Sequence, residues 1–217
     1  MKITIPTSWS SVTVKQFIEL GKVPELKFDE MDTQFRILSI LTGKEDDYFI
    51  NIPIPDLKKI IASTSFLNTK PKNKLPLVLN LNGSRFRVRY EANKLIAGEY
   101  IDLQNYIKQG VNNNLAKIIA IYFEPINWFG FKKKSCYKKS KEGLMVQTLE
   151  SKKITEQLIL DHLTMDKVFG MTDFFLKVWV ELMKATQVYL AKAGEKTTKK
   201  LNRMMEREGL KKSMGGI

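Results

Sequence analysis

Apolar and polar residues alternate most cleanly over residues 77–90. Leu77, Leu79 and Leu81 are separated by Val78 and Asn80, Asn82-Gly83 follows, and Phe86, Val88 and Tyr90 then alternate with Arg85, Arg87 and Arg89. A period of two places successive side chains on opposite faces of a strand, and Asn-Gly accepts the positive φ angles of a two-residue turn. The pattern predicts a hairpin at about 77–90. Its second strand should carry three arginines on one face and three apolar side chains on the other.

Elsewhere the spacing is mostly helical. Ile3 and Ile5 suggest a short first strand that Pro6 stops. Thr13 suits the cap of a helix from Val14 to Leu20, closed by Gly21. Asp32 suits the cap of a second, in which Phe35, Leu38 and Leu41 recur every three residues until Gly43. Asp46 and Asp47 fit the positive N-terminus of a short third helix. Pro55 fits the first turn of a fourth, with Leu57, Ile60, Ile61 and Phe66 towards the core. Residues 102–109 and 114–123 read as helices, the latter capped by Asn114 and ended by Glu124-Pro125. Gly143 to Leu149 suits a strand, and 154–163 a helix.

The longest predicted helix runs from Thr172 to about Lys192. Phe174, Phe175, Val178, Trp179, Leu182 and Tyr189 leave it only a narrow polar stripe, so it must bury most of its circumference, in the core or against another copy. The balance is α+β and helix-rich, with one β-hairpin and a long apolar helix near the C-terminus. The expected layout is one domain over 1–193, with a sub-boundary near 68–76 at the polar stretch TKPKNKLP. A basic helix and tail occupy 194–217.

Charge changes this picture more than composition does. The 217 residues are 43% hydrophobic, as expected of a folded chain, and carry a net charge of +13. Residues 1–110 contribute +4 and residues 111–217 contribute +9. That asymmetry points to a polyanionic neighbour. One cysteine excludes an internal disulfide, and the N-terminal residues lack the apolar core of a signal peptide. The best membrane candidate, 174–191, contains Lys177, Glu181 and Lys184, so no membrane insertion is expected.

Catalytic constellations are missing from the sequence. A nucleophilic pair would need Cys136 and His162, the single residues of their kinds, to meet in space, and no flanking motif supports that. No CxxC, HExxH, EF-hand, GxGxxG or complete P-loop pattern occurs. Glu45, Asp46 and Asp47 are explained by a helix start. The expectation is a non-enzymatic protein with no cofactor, metal or small-molecule substrate.

Three basic patches remain. Residues 127–153 carry eight lysines and two glutamates, and Lys132, Lys133, Lys134, Lys138, Lys139 and Lys141 are interleaved with Phe131 and Tyr137. Lysines hold phosphates without reading sequence, and aromatic rings among them can stack on bases. The alternative is a solvated loop whose Phe131 and Tyr137 tuck into the body. Arg85, Arg87 and Arg89 are either a bidentate anion site or a solubility device on an exposed hairpin. Lys199, Lys200 and Arg203 belong to the third patch, residues 192–217, whose net charge is +5.

The strings WSSVTVKQFIEL, ILSILTGKEDDYF, AGEYIDLQNYI, NLAKIIAIYFEPI and FFLKVWVEL together resemble the virion and assembly proteins of tailed bacteriophages, in particular those of crAss-like phages. The resemblance covers most of the chain at the level of layout and carries no site residue with it. It implies an oligomeric structural subunit of the head-to-tail region, where portal meets tail. The subunit would be assembled in the host cytoplasm into the virion, bind its own copies and other phage structural proteins, and make non-specific contact with DNA. A cytoplasmic tail-assembly chaperone and a stand-alone nucleic-acid-binding module are the alternatives.

Overall fold

The computed structural model describes residues 4–69, 76–90, 95–139 and 145–171. Within them α1 spans Val14–Lys22 and opens with a reciprocal cap. The Thr13 hydroxyl accepts from the Gln16 N–H, and Gln16 Oε1 accepts from the Thr13 N–H. The Gln16 amide also donates to the carbonyls of Ile40 and Leu41, both at 3.1 Å. One glutamine thus caps its own helix and ties it to the end of α2, Glu30–Thr42. Gly21 lies inside α1 and does not close it. Asp29, not Asp32, caps α2, because its carboxylate accepts from the Asp32 N–H. Gly43 ends α2 in the left-handed region, as expected. The predicted first strand is not formed at residues 4 and 5, which are irregular, and Ile3 lies outside the described residues.

Two short helices follow, α3 (Asp46–Ile50) and α4 (Ile54–Ser63), with Pro55 in the first turn of α4. Leu38, Phe49 and Leu57 form a buried cluster between α2, α3 and α4, with Phe35, Ile60 and Ile61 packed on it. A second cluster surrounds Trp9. Its ring meets Phe17, Phe66 and Phe169 edge-on at centroid distances of 5.9, 5.5 and 5.0 Å. The indole N–H donates to the Thr69 carbonyl at 2.7 Å, so the buried nitrogen is satisfied.

The hairpin forms where the alternation placed it, as β1 (Val78–Leu81) and β2 (Ser84–Val88). Asn82 and Gly83 take φ of +47° and +78°, the positive pair that the turn requires. It is not an exposed hairpin, however. A third strand, β3 (Phe123–Ile126), pairs antiparallel with β2, which becomes central. Sequence reading had carried the preceding helix through Phe123. That helix, α6 (Val111–Ile121), ends two residues earlier and also starts earlier. Asn114 is not its cap. It is buried in the first turn, its amide donating to the Gly110 and Tyr106 carbonyls. Pro125 is tolerated in β3 because this strand is at the sheet edge, where a missing N–H breaks no ladder.

The central helix of the described residues is α6, with Leu115, Ala116, Ile118, Ile119 and Ile121 buried against α1, α5 (Ala97–Lys108) and α7 (Leu149–His162). A small ribbon of β4 (Tyr137–Lys139) and β5 (Met145–Gln147) precedes α7. The strand expected over 143–149 is therefore formed in part, and Leu149 already belongs to α7. Val12 and Val14 exchange backbone hydrogen bonds with Met165 and Leu163 at 2.8 and 3.0 Å. These bonds bring the start of α1 beside the chain that follows α7. The architecture is α+β and helix-rich. The described residues belong to one unit, Met1–Asp173, and the second, Phe174–Ile217, lies outside them. So do the predicted apolar helix with Phe174, Phe175, Val178, Trp179, Leu182 and Tyr189, the basic residues Lys199, Lys200 and Arg203, and Lys141.

Candidate nucleic-acid and partner interface

The arginine face of β2 is the foundation of the site. Arg87 is cross-strand from Glu124. Their side chains pair at 3.3 Å, and Lys132 reaches the other oxygen of the same carboxylate at 3.0 Å. Glu124 is buried, so one carboxylate draws together two cations from different segments. Arg87 continues past it and donates to the Gly130 carbonyl at 2.6 Å. Arg85 donates to the Trp128 carbonyl at 2.6 Å, and its guanidinium lies 4.8 Å from the centre of the Trp128 ring. The third arginine, Arg89, makes a two-pronged pair with Glu99 at 2.8 and 3.2 Å and also donates to the Ile121 carbonyl. The three arginines thus hold the protein together through named acceptors.

Two of them clamp the segment after β3. Asn127 closes it from within, since its side chain accepts from the Phe131 N–H at 2.9 Å and its own N–H donates to the Phe131 carbonyl at 2.7 Å. Gly130 supplies the positive φ, +84°, that this tight return demands. Ile126 and Lys132 bridge across the neck, and the Lys133 N–H donates to the Pro125 carbonyl.

What this pinned backbone displays is apolar. Trp128, Phe129 and Phe131 are 78%, 82% and 72% exposed. The expectation that Phe131 tucks into the body is corrected here, because the hydrogen bonds that close the turn point its ring outward with its neighbours. Tyr137 does turn inward. Burial pushes its phenol well above the ordinary range, and the Glu124 carboxylate adds to the shift. Lys132 lies 5.5 Å from its ring centre. Lys133, Lys134, Lys138 and Lys139 are exposed.

Beside the tip is a groove of about 550 Å³. Phe86, Pro125 and Ile126 of the sheet line it, together with Ile154 and Leu158 of α7. Arg85, Trp128, Lys133, Ser135, Thr148, Glu150 and Ser151 complete its lining. Sequence reading singled out the lysines, Phe131 and Tyr137. It missed Trp128, Phe129 and the groove, although three aromatics around one glycine beside a lysine run were a visible signal.

Cys136 lines this groove, and its carbonyl accepts from the Thr148 N–H at the start of α7. His162 is the last residue of that helix, about 20 Å away at 1.5 Å per residue. The two do not form a nucleophilic pair. Among the described residues no three His, Cys, Asp or Glu side chains are grouped to hold a metal ion, and no helix is long and apolar enough to cross a membrane. No protein-family model matches the chain, and no curated protein and no solved structure matches it either.

Proposed function

We propose that the chain is a non-enzymatic docking subunit of a tailed-phage virion, acting in the head-to-tail region through contacts with its own copies, with neighbouring structural proteins and with DNA. The observation that carries this reading is the loop of residues 127–134. It exposes three large aromatic side chains among lysines, yet its backbone is fixed by two arginines and a buried carboxylate. Exposed aromatics cost solubility, and a contiguous patch of them marks an interaction site. Fixing the backbone beforehand lowers the ordering cost of association.

Mass spectrometry of purified particles tests the placement. A virion subunit is found in many copies, and the isolated protein gives a defined oligomer in light scattering across concentration. A chain that is monomeric and absent from particles would overturn the reading and favour a transient assembly chaperone.

A further inference from the structure

The groove next to the aromatic tip has a chemistry of its own. Its lining includes two cations, Arg85 and Lys133, and a tryptophan whose largely exposed ring is braced by Arg85. It also includes hydroxyls and one carboxylate, Glu150. A volume of about 550 Å³ is within the range of sites that enclose a small organic group. An occupant that meets this lining offers a flat face, negative charge and hydrogen-bond donors.

We propose that this groove binds single-stranded nucleic acid, with a base stacked on Trp128 and its flanking phosphates on Lys133 and Lys134. Each part of a nucleotide meets its complement. The base offers a π-face to the indole, and an exocyclic amino group is a donor that a carboxylate such as Glu150 accepts. The phosphates meet ammonium groups that neutralise charge without selecting sequence. Two rival occupants fit less well. An acidic peptide matches the cations but offers Trp128 no flat π-face. A bilayer would engage the protruding Phe129 and leave the concave, polar-rimmed groove empty. A duplex keeps its bases paired and stacked, so it can use the lysines but not the tryptophan. The inference rests on reading the loop as a contact surface and is independent of any place in a virion.

The experiment uses the full chain and a fluorescently labelled single-stranded DNA of roughly 16 nucleotides, the upper site size of one compact single-strand-binding fold. Polarisation is followed across salt concentrations, with a duplex of equal length, polyglutamate and anionic lipid vesicles as parallel probes. Binding should weaken with salt, and Trp128→Ala should weaken it by about tenfold on the single strand while leaving the duplex unchanged. Trp128→Phe should restore most of the loss. Lys133→Gln with Lys134→Gln should reduce the slope of log affinity against log salt by about 1.4, or about 0.7 per phosphate contact. Melting curves confirm that each variant is folded, and the lysine pair carries the test if Trp128→Ala is not.

Equal affinity of the wild type and Trp128→Ala for the single strand would overturn the proposal and leave only a basic patch. So would tryptophan-dependent binding to polyglutamate or vesicles without binding to DNA. Absence of the protein from particles would overturn the virion placement and leave a positive DNA result standing.

Discussion

Two tryptophans in this chain have opposite fates. Trp9 is 8% exposed, sits among three aromatic rings and donates its indole N–H to a carbonyl. Trp128 is 78% exposed, and the charged Arg85 lies over its ring. The first is surrounded by segments far apart in the chain, from Phe17 to Phe169, so it ties the fold together. The second is held through its backbone carbonyl, and its side chain adds only an exposed contact with Arg85. The contrast separates aromatics that make the structure from those it presents.

The largest test is at the buried end. Trp9→Ala empties the centre of the aromatic cluster and should cost about 3–5 kcal/mol, read as a fall in urea midpoint. Glu124→Gln comes next. It keeps the shape but removes the charge shared by Arg87 and Lys132, and both partners are half-exposed, so about 1–2 kcal/mol is expected. This variant should also loosen the loop, which makes it the test that links the two regions.

Alkaline pH tests the buried side. Burial pushes the phenols of Tyr90 and Tyr122 up to about 12. In the unfolded chain they ionise near 10, so folding favours their neutral forms. Their contribution is complete below pH 10 and is lost progressively as pH rises through about 12. Stability that stayed flat across that window would contradict the burial of both rings. The smallest effect belongs to Trp128→Ala, which should leave the urea midpoint within about 0.5 kcal/mol of wild type. A large loss there would mean that the loop is part of the core, and the contrast would fail.

Local signals in the sequence were reliable where the physics is local. The Asn82-Gly83 turn, the Thr13 cap, the Gly43 stop and Pro55 in a first helical turn depend only on neighbours a few residues away. Strand β3 was lost because Phe123, Glu124, Pro125 and Ile126 are all buried and show no alternation. Its identity comes from β2, a partner far away in the chain. The same holds for the candidate site. Its lysines were visible from charge, but the arginines that shape it act across 43 residues. Without those pairings the aromatic tip reads as ordinary loop, and Arg85 and Arg87 read as decoration on a hairpin.

The clamp also decides how a protease sees this loop. By composition, Lys132, Lys133, Lys134, Lys138 and Lys139 make it the richest trypsin target among the described residues. A protease, however, must draw several residues out as an extended strand before it can cut. Here the carbonyls of Trp128 and Gly130 are held by arginines, and Asn127 and Phe131 are closed on each other. Cleavage then follows the fraction of time the loop is open rather than the number of lysines. Digestion between Lys132 and Lys139 should be slow in the wild type and fast in Glu124→Gln.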